Sequence, residues 1–160
     1  MTEYGDNVWA ELEDLGAGVR GRRLVRTEGS QLVAAVWELD PAAEPGPYHL
    51  HHGAEEYLLV LRGRPTLRTP QGERELVEGD VAHFPRGLDG AHQVLNRGDG
   101  VVRYLMAAAH DTPDVIEYPD RGLIIAAGRA PSAAGEALFA AFRMTDAVDP
   151  AERDPPRGEG

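Results

Sequence analysis

The chain has 160 residues and a net charge of −11 at pH 7, a length that suits one domain with a real hydrophobic core. Nucleic acid and anionic membrane surfaces reward positive charge, so neither is expected as a partner. The sequence has no cysteine, which removes disulfides and thiolate ligands, and it shows neither a basic-then-apolar leader nor the ~20 apolar residues of a membrane span; the expectation is a soluble cytoplasmic protein.

In chain order, residues 1–18 are acidic and mixed and read as an N-terminal arm, with a short turn of helix over Trp9–Leu15. Short strands punctuated by Gly, Pro and Asp follow. Arg23–Thr27 and Leu32–Leu39 come first, separated by Glu28-Gly29-Ser30. The proline-rich loop Asp40–Pro47 delivers the chain to Tyr48–His51. Glu56–Arg62 and Thr66–Thr69 read as a hairpin around Gly63, and Thr69-Pro70-Gln71-Gly72 as a turn into Glu73–Val77. Val81–Phe84, Gln93–Asn96, Val101–Ala109, Val115–Tyr118 and Leu123–Ala127 complete the strands. This spacing predicts an all-β antiparallel barrel or jelly roll over residues 19–128. Gly135–Met144 reads as helix, with Leu138, Phe139 and Phe142 on one side, inside a C-terminal helical segment 129–145. Residues 146–160 are rich in Pro, Asp, Glu and Arg and are expected to be a disordered tail.

One motif is a decoy. Gly16-Ala17-Gly18-Val19-Arg20-Gly21 matches the dinucleotide pattern, and Asp40 lies nineteen residues beyond Gly21. No apolar strand precedes Gly16, and the stretch before the next strand leaves no room for the helix that would hold a pyrophosphate. The cluster Arg20, Arg22, Arg23 and Arg26 reads as a solvated strand edge.

His49 and His51 are one residue apart, so a strand points both imidazoles the same way. Glu56 follows a short turn, and His92 follows the turn-rich segment Pro85–Gly90. Three imidazoles and one carboxylate suit a divalent transition metal (Zn, Fe, Ni or Mn, with Cu less favoured) better than Mg or Ca. Burying these four groups is costly unless something satisfies them, and one metal does so at once. His52 is one residue off the parity of His51 and should point outward; His83 and His110 read as ordinary histidines. Tyr48, Gln93 and Arg103 lie near the presumed site strands and are candidates to orient a substrate.

These residues carry a resemblance. Gly46 through Gly63 resembles the first cupin motif, with His49, His51, Glu56 and Gly63 in place. Gly79 through Asn96 resembles the second, with Gly79, Pro85, Gly87, His92 and Asn96. Gly46 stands only three residues before His49, and the loop from Gly87 to His92 is two residues longer than the usual spacing. The likeness spans roughly residues 20–125 and extends to a subset of small actinobacterial-type cupins, through Pro47-Tyr48-His49, Gly90-Ala91-His92-Gln93 and Glu117-Tyr118-Pro119-Asp120. It implies a double-stranded β-helix and a bound metal, but no particular substrate.

With four protein ligands, a six-coordinate metal keeps open positions, whereas a tetrahedral zinc is closed and structural. The leading expectation is a mononuclear metal-dependent enzyme acting on a small oxygenated molecule, a dioxygenase, isomerase or related catalyst. The alternative is a non-catalytic sensor or binding module for a small ligand, and last a purely structural metal clip. A homodimer is also expected: every residue of Tyr57–Leu61 is apolar, so both faces of that strand want cover.

Overall fold

The computed structural model describes residues 7–24, 30–110, 113–131 and 137–149 of the chain, without the side chains of residues 110 and 129–131. Arg26, the His110 side chain and the tail from residue 150 therefore lie outside the described residues. The described residues form thirteen strands: β1 (Glu13–Gly16), β2 (Val19–Arg23), β3 (Leu32–Leu39), β4 (Leu50–His51), β5 (Ala54–Arg62), β6 (Thr66–Thr69), β7 (Gly72–Glu75), β8 (Val81–Phe84), β9 (Gln93–Leu95), β10 (Val102–His110), β11 (Asp114–Tyr118), β12 (Leu123–Pro131) and β13 (Ala137–Arg143). Among the described residues helix is limited to three single-turn 3-10 segments, and none is long and apolar enough to cross a membrane.

The strands form a six-stranded sheet in the order β1-β2-β3-β10-β5-β8, a four-stranded sheet β13-β12-β11-β4 and a three-stranded sheet β7-β6-β9. All pairings are antiparallel. The period of two along β3, β10 and β5 places Leu39, Val102, Tyr104, Leu58 and Val60 on one face. Leu67 of β6 and Val94 of β9 pack into the same core from the three-stranded sheet. Leu39 and Leu58 are fully buried, and each contributes on the order of 1.5–3 kcal/mol by leaving water.

The opposite face of the six-stranded sheet meets the N-terminal segment. Arg103 donates to Ala10 O at 2.6 Å, and Arg22 donates to Glu11 O at 3.1 Å. These arginines thus hold the incoming chain by its carbonyls. The helical turn expected near Trp9–Leu15 is not formed; Glu13–Gly16 is a strand paired with β2. Its turn explains the glycine-rich decoy. Ala17 and Gly18 both have positive φ, 52° and 75°, the geometry of a two-residue hairpin loop matched to strand twist. Arg20 pairs with Glu38 and Asp40 across this edge.

Two further expectations are corrected. Gly63 does not turn a hairpin: β5 pairs with β10 and β8, while β6 pairs with β7 and β9. Gly63 instead passes the chain between sheets at φ 82°, with Val101 O only 2.7 Å from where a Cβ would sit. The expected C-terminal helix is strand β13, paired along β12 from Leu123↔Arg143 to Ala127↔Phe139. Ala and Leu favour helix locally, but an open edge on β12 offers every second backbone group a partner, and tertiary pairing overrides propensity.

Candidate metal centre

His49 and His92 face each other as an isolated antiparallel bridge, His49 N to His92 O at 3.0 Å and His92 N to His49 O at 2.8 Å. His51 lies two residues on, in β4, which pairs with β11 through Ile116. Glu56 comes from the neighbouring sheet, on β5 opposite Ala108 and Phe84. The centre is therefore built where the four-stranded sheet and the six-stranded sheet approach. The long loop before His92 folds as a 3-10 turn over Leu88–Gly90, which takes up its two additional residues and returns the histidine to the bridge.

Three imidazoles converge on one oxygen. Glu56 Oε2 lies 3.8 Å from His49 Nε2, 3.5 Å from His51 Nε2 and 3.3 Å from His92 Nε2. That oxygen is buried and accepts no hydrogen bond. His49, His51 and Glu56 offer donor atoms all within 4.8 Å of one another. An orphaned buried carboxylate oxygen is expensive to keep, and a cation between it and the three nitrogens resolves the deficit. The residues present therefore fit a metal ion.

The far nitrogens are all committed. His49 Nδ1 donates to Pro47 O at 3.0 Å and His92 Nδ1 to Gly90 O at 2.9 Å. A carbonyl only accepts, so the proton is on Nδ1 and the Nε2 lone pair is left facing Glu56. His51 Nδ1 lies 2.6 Å from Asp114 Oδ2, and the other oxygen of Asp114 accepts from Gly53 N at 2.7 Å. Rings also fix ring planes: Phe84 stacks on His92 with centroids 3.7 Å apart, and Tyr118 stacks on His49 at 5.9 Å.

Charge follows burial. His49 is held below the usual imidazole range by burial and by neighbouring His51. His92 is pushed down to about 3 by burial and by His49. For His51 burial also pulls downward, but the bond to Asp114 and the charge of Glu56 prevail and raise it. Burial raises Glu56, partly offset by His51. Burial, with Glu56 adding to it, raises Tyr104 well above the ordinary phenol range, so this phenol keeps its proton at neutral pH.

A cavity of about 230 Å³ opens on the centre, with His49, Glu56 and His92 on one wall and Gln93 and Tyr104 beside them. Gln93 Nε2 donates to Gly46 O at 2.9 Å at the rim. Tyr48 is elsewhere: it is buried against Leu50 and Ala91 under the Arg68 guanidinium, 4.2 Å above its ring, and borders a separate polar depression. Arg103 is also elsewhere. It lies on the outer face of β10, bonded to Glu38 at 3.2 Å and to Ala10 O, and is not brought to the site. His52 points outward and pairs with Glu117 at 2.6 Å, while exposed His83 pairs with Glu55 at 3.3 Å. Asn96 is structural, its amide donating to Leu39 O and Gly100 O.

Sequence reasoning missed Asp114, Tyr104, Phe84 and Tyr118. Asp114 is 63 residues from His51, and no local pattern announces such a partner. Tyr104 was detectable, since it lies two positions from Met106 on a strand expected to cross the core.

Comparisons with known proteins agree with this picture. A profile of the Cupin domain family matches residues 35–108. The chain is similar to a sugar phosphate isomerase from a cupin superfamily, from Silicibacter pomeroyi: 30% identity, TM-score 0.69, covering 84% of this chain and 82% of that one. A candidate sugar phosphate isomerase from Acidithiobacillus ferrooxidans is 24% identical, with TM-score 0.66 and coverage of 79% and 80%. The polyketide cyclase RemF from Streptomyces resistomycificus is 22% identical, with TM-score 0.58 and coverage of 71% and 84%. The last two are similar in fold alone. No curated protein sequence matches the chain.

Proposed function

The chain belongs to the cupin superfamily, and from that premise we propose that it is a mononuclear metal-dependent enzyme acting on a small oxygenated molecule. The observation that carries this reading is the convergence of three imidazole Nε2 atoms on the orphaned Glu56 Oε2. His49, His51, Glu56 and His92 would hold one divalent transition metal, with Zn, Fe, Ni or Mn ahead of Cu. When bound, such a metal supplies Lewis acidity toward a substrate oxygen.

The protein's own part is positioning. His49, Glu56 and His92 present their donors to the cavity, the Tyr104 phenol keeps its proton beside it, and Gln93 sits at the rim. Isomerisation leads among the candidate reactions, because the relative from Silicibacter pomeroyi is an isomerase. Dioxygenation remains the competing class. A sensor without turnover is the second reading, favoured by one observation: Glu56 is the only carboxylate among the described lining residues, so no second carboxylate accompanies it.

Related proposals complete the picture. The three sheets form a double-stranded β-helix, and the molecule works in the cytoplasm as a homodimer, its ligand a small molecule rather than nucleic acid or membrane. Support for the dimer is the exposure of Tyr57, Val81 and Leu32 on the sheet face that the described N-terminal residues cover only in part. The deciding experiment is elemental analysis of protein purified without an affinity metal, followed by turnover assays on the loaded protein. Close to one metal per chain and a consumed substrate support the enzyme; a ligand that binds, stabilises and stays unchanged supports the sensor.

A further inference from the structure

The walls of the cavity restrict what can enter it. Beyond the three metal-facing residues, Gln93 and Tyr104, the described lining is Val33, Ala35, Trp37, Pro45, Gly46, Pro47, Val94, Met106 and Ala108. No arginine is among them. Arg22 and Arg23 border an adjoining depression at the β1–β2 edge, which shares Val33, Ala35 and Trp37 with the cavity, but neither arginine is among the cavity's described lining residues. β2 is three positions from β5 in the sheet order, which at ~4.8 Å per strand puts Arg23 about 14 Å from the strand that carries Glu56. Arg68, Arg97 and Arg121 border the outer polar depression beyond Gly46, Pro47 and Gln93, where Arg68 and Arg97 are paired with Asp120 and Glu73.

Two chemical consequences follow. A phosphate group wants a guanidinium fork, an ammonium or a helix N-terminus, and the described residues of this wall offer none. A polyhydroxylated body would bring several hydroxyls against Val, Ala and Met side chains that cannot bond them, and buried unpaired hydroxyls are penalised. Size narrows the class further. A dry apolar cavity of roughly 150 Å³ takes benzene, so the 230 Å³ here has room for a single substituted ring or a short branched chain. Ala35 and Ala108 create that room: both lie on the inner face, flanking Met106, where longer side chains would fill it.

We propose that the cavity takes an uncharged molecule about one ring in size, its oxygen-bearing end toward His49, Glu56 and His92 and its apolar body along Ala35, Val94 and Met106. Phosphorylated sugars are not its ligands. The orientation rests on the metal reading above; the apolar body does not.

The test separates the two. Cobalt-loaded protein is titrated with acetohydroxamate and with benzohydroxamate, which share a chelating head and differ by a phenyl group. Both should change the visible spectrum, with benzohydroxamate binding about ten- to a hundredfold tighter from apolar burial. Ala35→Leu, or Val33→Phe at a second partly exposed position, should erase that gap and leave acetohydroxamate unaffected. Equal affinity of the two probes, or displacement of benzohydroxamate by glucose 6-phosphate, overturns the proposal. A metal-free arm uses Trp37, isolated by Trp9→Phe because the chain has two tryptophans. Its emission should respond to benzyl alcohol and not to glucose 6-phosphate. A silent cobalt spectrum with a responsive Trp37 removes the metal reading and supports the apolar cavity; a silent Trp37 overturns it.

Discussion

Asp114 Oδ2 stands 2.6 Å from His51 Nδ1, and the same carboxylate closes the turn at Gly53 N. One buried acid thus orients a ligand ring, selects its tautomer and shapes the loop that leads to Glu56. Outer partners of this kind raise ligand basicity and commonly carry 10–100-fold in metal affinity. Asp114→Asn should therefore weaken zinc binding by about 10–100-fold in calorimetric competition, with the fold checked by circular dichroism. In a His51→Ala background the same change should add little, because the ring it serves is gone. Additive losses would place Asp114 in a purely structural role.

Removing ligands should rank in a definite order. Alanine at His49, His51 or His92 should each strip most of the metal, since each Nε2 faces Glu56 Oε2. Glu56→Gln should cost less, because an amide oxygen still coordinates. Metal should raise the melting temperature of the wild type and not of the triple histidine variant. Full occupancy of that triple variant in elemental analysis would sink the assignment.

The pH dependence has a sign that the environments dictate. His49 and His92 are depressed by burial, so at neutral pH their lone pairs are already available. His51 is raised by Asp114 and Glu56 against the pull of burial, so its proton competes with the metal. Binding should displace the His51 proton where that ring is protonated, and affinity should fall about tenfold per pH unit as the medium drops below the His51 value. Release of two or three protons, measured by calorimetry in buffers of different ionisation enthalpy, would contradict the depressed values.

The parts legible in the sequence are those with a period or a spacing. Leu32–Leu39, Thr66–Thr69 and Val81–Phe84 are strands with the expected bounds, because apolar runs between Gly, Pro and Asp leave little choice. The His49, His51 and Glu56 cluster follows from parity and a short turn. What was illegible depends on register between distant strands. Arg103 falls on the outer face because it pairs with Glu38 rather than lying in line with Tyr104, and parity within one strand cannot choose a face. Ala137–Arg143 carries helix-like composition, and only its pairing with β12 decides otherwise.

The outer face of the six-stranded sheet should mediate self-association. Tyr57 and Val81 are 46% and 52% exposed there, apolar area that a second copy would cover. Light scattering at micromolar concentration should report a dimer. Val81→Glu should shift it to monomer without altering metal content, because Val81 lies at the far end of β8 from Phe84 and His92. A wild-type monomer would remove this proposal and leave the N-terminal segment as the sole cover.

Gly90 links the fold to the metal most directly. A Cβ at this position would sit 1.7 Å from Pro85 O and 2.8 Å from Pro85 C. Such contact is with backbone, so no side chain can swing away, and the loop must move. That loop is the one whose Gly90 carbonyl receives His92 Nδ1 at 2.9 Å, so the displacement reaches the ligand ring. Gly90→Ala should lower stability by roughly 2–4 kcal/mol, the range of overpacked or strained buried sites, and weaken metal binding at least tenfold. Gly46→Ala is the control: nothing lies within 4 Å of its would-be Cβ, so it should leave both measurements near wild type. Denaturant unfolding of the metal-free proteins gives the first quantity and zinc competition the second. If Gly90→Ala unfolds like wild type yet binds metal normally, the close approach to Pro85 is not what seats His92.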